Sequence, residues 1–311
     1  MTSLESRFRG ALVGLAIGDA VGTTVEFQAP GTFTPVTDMV GGGPFGLKPG
    51  QWTDDTSMAL CLAQSLIDCR GFDARDQQEK YLRWWREGYM SSTGRCFDIG
   101  NTVRGALTRY LQFKEPFAGS TDPHSAGNGS IMRLAPVPLF YFSNPEQAIH
   151  LSGESSRTTH QARTAIDACR YLSALIVGAL RGSSKEALLS PDYSPAPGLW
   201  GSKPLCSEIA EIANGSYRHK TVNQIRGSGY VVQSLEAALW AFATTESFKE
   251  GCLAAVNLGE DADTTAAVYG QLAGAYHGLE NIPEGWRKKI TDLNEIMRMA
   301  DDLANSAVLG R

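Results

Sequence analysis

The chain has 311 residues, with 28 Lys+Arg against 33 Asp+Glu and a formal net charge of −5. Apolar residues make up 42 % and charged residues 20 %, an ordinary globular composition that excludes wholesale disorder and leaves no basic footprint for nucleic acid. No stretch approaches roughly 18 apolar residues, so no membrane span is expected.

In chain order, the first predicted helix covers Arg7–Val21. Its apolar run Ala11–Gly18 follows Arg7 and Arg9, as in a signal peptide. Asp19 ends the run without a small-residue cleavage site, however, and a buried first helix is the better reading. Apolar spacing of three and four residues also predicts helices over Thr56–Asp68, Ile99–Phe113, Ala162–Leu180, Val231–Phe242 and Thr264–Tyr276. Hairpin signals are missing, so the expectation is all-α, one compact domain over residues 1–311. Gly14, Gly18, Gly178, Gly270 and Gly274 lie inside these helices. Each costs about 1 kcal/mol against alanine, which suggests close helix–helix approach. Three irregular stretches intervene: Gly41–Gly50, Phe117–Gly129 and Ser190–Lys203. Gly41–Gly50 is rich enough in glycine to need unusual backbone angles or a close contact. The six cysteines, Cys61, Cys69, Cys96, Cys169, Cys206 and Cys252, have no CxxC spacing and read as free thiols, which makes the cytoplasm the expected compartment.

Two acidic motifs open predicted helices. Thr53-Asp54-Asp55-Thr56 precedes the apolar Met58–Leu62, and Asp261-Ala262-Asp263-Thr264-Thr265 precedes Ala266–Tyr276. Helix capping explains one Asp in each, but not two carboxylates flanked by threonines. Together they offer hard oxygen ligands suited to Mg²⁺, Mn²⁺ or Ca²⁺, and four carboxylates would balance two divalent ions. Ala126-Gly127-Asn128-Gly129-Ser130 leads into an apolar segment and reads either as an ordinary loop or as an anion site of free backbone N–H groups. Asp98 and Asn101 are spaced about one helical turn apart, as a cap or a site pair. His160, at the start of a predicted helix, and Glu26 carry no signal alone.

As an ordered set these residues resemble the ADP-ribosylglycohydrolases. The motifs are Gly18-Asp19-Ala20-Val-Gly22 with Glu26, Trp52-Thr-Asp-Asp-Thr56, Asp98-x-Gly-Asn101, Gly127-Asn-Gly-Ser130 with Met132-Arg133, Thr159-His160 and Gly259-x-Asp-x-Asp-Thr264. The chain is most similar to the bacterial dinitrogenase-reductase-activating branch, which acts on arginine. The resemblance implies an all-α fold with two divalent cations, Mg²⁺ or Mn²⁺, in a central cleft. Thr53, Asp54, Asp55, Asp261, Asp263 and Thr264 would be the metal ligands. Glu26 would be the mobile glutamate near the metals, Asp98 with Asn101 would face the distal ribose, and either Glu26 or Asp98 would exchange the proton with water or the leaving guanidine. Gly127, Asn128, Gly129 and Ser130, followed by Met132, would hold the diphosphate; His160 would touch substrate, and Tyr230 would sit beside the adenosine. The chain departs from the family pattern at Glu260, where glycine is common, a change expected to alter little, and along Ser190–Gly229. The implied activity is release of ADP-ribose from ADP-ribosylated arginine in proteins. The alternatives are cleavage of O-linked ADP-ribose and a non-catalytic binder of the toxin-immunity kind.

Overall fold

The computed structural model describes residues 2–309. Within them lie fifteen α-helices. They are α1 (Leu4–Gly22), α2 (Asp54–Cys69), α3 (Ala74–Glu87), α4 (Asn101–Phe113), α5 (Pro136–Phe140), α6 (Pro145–Arg157), α7 (Arg163–Leu180), α8 (Lys185–Leu188), α9 (Leu199–Ser202), α10 (Ser207–Ala213), α11 (Val231–Thr244), α12 (Phe248–Val256), α13 (Ala262–His277), α14 (Glu284–Lys289) and α15 (Leu293–Leu309). Among the described residues there are isolated β-bridges but no strand, so the all-α expectation holds. The six helices predicted from periodicity appear with ends displaced by at most three residues. The prediction does not identify α3, α6, α12 or α15. α3 is the most polar of these, and its buried face is half polar, with Gln77, Gln78 and Lys80 beside Tyr81, Leu82 and Trp84, so apolar residues alone do not mark it.

At the centre, α1 runs antiparallel to α13 with backbone against backbone. A Cβ placed on Gly10 would strike the Gly274 carbonyl, one on Gly14 the Gly270 carbonyl, and one on Gly18 the Ala266 carbonyl; one on Gly22 would strike Asp263. These four α1 positions are spaced by four residues, the repeat that keeps one helix face against its neighbour. Close helix approach therefore holds for Gly14, Gly18, Gly270 and Gly274. Gly178 differs: its space is filled by the Tyr193 and Leu188 side chains, not by a second helix backbone.

α1 carries an 18-residue window apolar enough to cross a bilayer by length and composition, and 89 % of that window is buried inside the protein. The expectation that no such stretch exists misses this helix. Its apolar surface is spent on α13 and on the main core, which runs from Phe8 to Leu303. The antiparallel crossing has one consequence for the site. The last turn of α1, with Asp19, meets the first turn of α13, with Asp263, at the same end.

Candidate active site

Asp19 is the residue whose importance the sequence least betrays. It is a carboxylate in the last turn of an apolar helix and is completely buried. Its Oδ1 accepts from the Thr53 backbone N–H at 2.9 Å and lies 3.0 Å from the Thr53 hydroxyl. Its Oδ2 accepts from the Thr56 N–H at 3.0 Å and the Thr56 hydroxyl at 2.6 Å. Thus α1 caps α2. Burial pushes the Asp19 carboxyl up to about 6 despite these four donors. Neither Thr53 nor Asp261 caps its own helix through its side chain, which corrects the capping explanation of both acidic motifs. A lone Asp interrupting an apolar run is the signal that points to it.

With capping assigned to Asp19, the side chains of Asp54 and Asp55 are free to face the cleft end of α2. The Thr53 hydroxyl lies 3.3 Å from both Asp55 Oδ2 and Asp263 Oδ2, so the two acidic motifs meet. The Thr264 hydroxyl reaches Asp55 Oδ2 at 3.4 Å. One acceptor atom from each of Glu26, Asp98 and Asp263 falls within 4.8 Å of the others. Asp261, half-buried at the N-cap of α13, accepts from the Asn128 amide at 2.9 Å, which ties the glycine loop to the acidic cluster.

Six carboxylates therefore share one site, and among the described residues no Lys or Arg pairs with any of them. Burial, followed by the neighbouring Asp98, pushes Glu26 up to about 9. Burial and Asp261 push Asp98 up to about 7. Asp54, Asp55 and Asp263 are each held well above the usual carboxylate range, by burial first and by like charges second. Glu26 Oε2 and Asp55 Oδ1 are buried without a hydrogen-bond partner. Uncompensated, under-bonded oxygen donors in such number fit hard divalent cations. The residues present accordingly suit the metal the sequence implies.

Asp98 is not on a helix. It precedes α4 with φ 58°, and Gly100 is the N-cap, so Asp98 and Asn101 do not share a helical face as their spacing suggests. Phe27 (φ 63°) and Glu260 (φ 56°) are likewise left-handed, next in sequence to Glu26 and Asp261. Left-handed non-glycine residues cost on the order of 1 kcal/mol or more and gather at functional sites. Glu260 takes a backbone conformation that glycine adopts without steric cost. Its backbone N–H donates to Gln28 O and its carbonyl accepts from Phe27 N–H, both at 2.7 Å, while its side chain pairs with Arg226. The Glu26 loop is thereby pinned to the α13 motif.

A cleft of about 640 Å³ runs from these carboxylates to Gly127, Asn128, Gly129, Met132 and His160, a volume suited to a nucleotide-sized ligand. Asn101 and Thr264 also border it. Tyr230, at the N-cap of α11 and 39 % exposed, is joined to Gly127 by an antiparallel bridge at the cleft margin. Among the described residues, no acceptor is recorded for the backbone N–H of Gly129 or of Ser130. The Ser130 side chain turns inward to Ser156 and Cys169, so it faces the core and not the cleft.

His160 lies between α6 and α7 and not at a helix start. Beneath it is Arg133, buried with no carboxylate partner, which donates to Gly129 O at 2.9 Å and to the Thr159 hydroxyl at 2.6 Å and stacks over the Tyr81 ring. Since Thr159 Oγ1 accepts from Arg133, its own hydrogen is free for His160 Nδ1 at 2.8 Å. The Nε2 edge of His160 lies beside Gly127 and Gly129. Burial, then Arg133, lowers its pKa to about 3, so the ring is neutral at pH 7. Arg133 and Thr159 have no site role in the sequence reading, because their effect passes through His160.

Comparisons agree with this geometry. A model of the ADP-ribosylglycohydrolase family matches residues 1–310. The chain is 45 % identical to the ADP-ribosylarginine hydrolase Tri1 of Serratia proteamaculans (strain 568), across 95 % of this chain and 78 % of that protein. It is 33 % identical to the ADP-ribosyl-[dinitrogen reductase] glycohydrolase of Rhodospirillum rubrum, across 97 % and 96 %. A solved structure titled ADP-ribosylglycohydrolase-related protein complex superposes with a TM-score of 0.85 at 44 % identity, covering 98 % of this chain and 99 % of that one. A glycine-packed α1–α13 pair beside which the acidic motifs of α2 and α13 converge, in a chain matched by the family model over nearly its whole length, places the protein in the ADP-ribosylglycohydrolase family.

Proposed function

We propose that this protein removes ADP-ribose from ADP-ribosylated arginine in proteins, using two divalent cations, Mg²⁺ or Mn²⁺, held by Thr53, Asp54, Asp55, Asp261, Asp263 and Thr264. The observation that carries this reading is the uncompensated carboxylate cluster at one end of a nucleotide-sized cleft. The arginine linkage is supported by the similarity to Tri1, an ADP-ribosylarginine hydrolase. Bound cations supply the charge that grips the vicinal ribose hydroxyls and polarises water.

The chain's own residues do the rest. Gly129 and Ser130 offer backbone N–H groups to the diphosphate, and His160 adds a neutral N–H donor beside them. Tyr230 borders the adenosine, and Asn101 with Asp98 faces the distal ribose. Positive charge builds at the anomeric carbon as the bond to the guanidine nitrogen breaks, and the carboxylates of Glu26 and Asp98 stand where that charge forms. A water oxygen joins the anomeric carbon, its proton passes to one of these carboxylates, and the leaving guanidine takes up a proton. The six free cysteines suit a reducing compartment, and the cytoplasm belongs to the same proposal.

The test is ADP-ribose release from arginine-linked and serine-linked peptides, with and without chelator. Release from the arginine-linked peptide that EDTA abolishes and Mg²⁺ or Mn²⁺ restores is the expected result. Full activity in metal-free protein would defeat the metal assignment, and preference for the serine-linked peptide would defeat the linkage. No release at all, with ADP-ribose still bound, would favour the non-catalytic binder.

The diphosphate loop has its own test. A Cβ on Gly129 would stand 2.9 Å from His160 Cε1 and 3.5 Å from Val103 Cγ2. Gly129→Val is therefore expected to displace the histidine and weaken ADP-ribose binding at least about tenfold, or about 1.4 kcal/mol, while the helical content is unchanged. Calorimetric titration with ADP-ribose measures it, and an unaltered affinity would return the segment to an ordinary loop.

A further inference from the structure

Phe27 follows Glu26 and Phe97 precedes Asp98 in the chain, and both phenylalanines line the cleft together with these two acidic residues. They are joined through Phe45. Its ring centroid lies 6.5 Å from that of Phe27, at 76° between planes, and 5.1 Å from that of Phe97, at 55°. Phe27 is 67 % exposed and has a left-handed backbone. Neither burial nor local conformational preference accounts for phenylalanine there.

Phe45 is presented by the glycine-rich Gly41–Gly50 segment, which the reaction leaves unexplained. That segment is built to a fixed shape. Gly42 and Leu47 exchange backbone hydrogen bonds at 2.7 and 2.9 Å, and the Thr24 hydroxyl donates to Gly41 O at 3.1 Å. Gly43 is left-handed (φ 65°) against the Thr23 carbonyl, where a Cβ has no room. The Gly127–Tyr230 bridge marks the other end of the cleft; Phe27 and Phe97 line it with Glu26 and Asp98, and Phe45 packs against both rings from behind the lining.

We infer that Phe27, Phe45 and Phe97 form the subsite for the arginine side chain of the modified protein, their rings receiving its guanidinium beside Glu26 and Asp98. The inference rests on the arginine reading given above. A guanidinium is a planar, weakly hydrated cation, and aromatic faces attract such a group. Carboxylates lining the same cleft reinforce the attraction. A serine linkage brings no cation to this place, so the rings favour arginine-linked over serine-linked substrates.

The test uses the Mg²⁺-loaded protein and the variants Phe27→Leu, Phe97→Leu and Phe97→Tyr. Leucine keeps most of the apolar volume and removes the ring face; tyrosine restores it. Three quantities are measured: kcat/KM for an arginine-ADP-ribosylated peptide, kcat/KM for a serine-ADP-ribosylated peptide, and ADP-ribose affinity by calorimetry. Each leucine variant is expected to lose about tenfold in kcat/KM on the arginine-linked peptide, within the range of a desolvated cation–π contact. ADP-ribose affinity and any serine-linked activity stay within about twofold, and Phe97→Tyr stays near wild type. An unchanged arginine-linked rate, or an equal fall in ADP-ribose affinity, overturns the subsite. Wild-type protein that spares arginine-linked peptide but cleaves the serine-linked one overturns the functional reading itself, a different result from leucine variants that behave as wild type on arginine.

Discussion

Asp55→Asn and Asp263→Asn are each expected to lower ADP-ribose release by more than tenfold, equivalent to at least about 1.4 kcal/mol of transition-state stabilisation, while leaving a folded helical protein. The folded state survives because capping of α2 is the task of Asp19, not of Asp55, and because asparagine keeps the size and one acceptor oxygen. What is lost is a negative charge facing the cations. The same substitutions should raise the melting temperature of the metal-free protein, since each removes one member of a mutually repelling set.

The pH dependence follows with a definite sign. Carboxyls raised in the folded state, with Asp98 at about 7 and Glu26 at about 9, bind protons there more tightly than in the unfolded chain. Metal-free protein therefore loses stability as pH rises from the ordinary carboxyl range through those values, and saturating Mg²⁺ should flatten the trend. Melting curves with and without Mg²⁺ between pH 5 and about 9 measure both effects. Variants that turn over substrate at the wild-type rate, with the wild-type Mg²⁺ response, would show that these carboxylates are not ligands.

Gly14→Ala and Gly105→Ala should change stability in opposite directions. Both glycines sit inside helices, α1 and α4, where propensity alone favours alanine by about 1 kcal/mol. At Gly105 the nearest atom to a new Cβ is Arg109 Nη1 at 3.4 Å, the end of a flexible side chain, so the propensity gain is realised. At Gly14 the new Cβ would strike the Gly270 carbonyl, backbone that can yield only by separating α1 from α13. Overpacking of that kind costs typically about 1–3 kcal/mol, and here it should reach the upper end. Because the pair also sets Asp19 against Thr53 and Asp263 against Asp55, ADP-ribose release should fall with it. Urea unfolding and turnover on both variants settle the matter; Gly14→Ala at or above wild-type stability would contradict the close crossing.

Much of this protein is legible before any coordinates. Periodicity locates α1, α2, α4, α7, α11 and α13, and the helix glycines announce a close crossing, because both are properties of a few neighbouring residues. Thr53-Asp54-Asp55 and Asp261-x-Asp263-Thr264 stand out in the sequence as two sets of hard oxygen donors, and the structure brings them together. α3 escapes because its buried face is half polar. Tertiary structure alone decides who meets whom. The antiparallel crossing of α1 and α13 brings Asp19 to Thr53 and Thr56, and it transfers the capping role away from the motif residues that seemed to hold it. Tertiary packing also turns the Ser130 side chain inward, holds His160 through Thr159 and Arg133, and gathers Phe27, Phe45 and Phe97 from two interhelical segments, while Asp98 stands off the helix that follows it. Local sequence encodes turns, caps and periods, which act over a few residues. Pairings between distant segments are fixed by the packing of whole helices, and these glycines mark where the chain permits backbone contact without naming the partner each will touch.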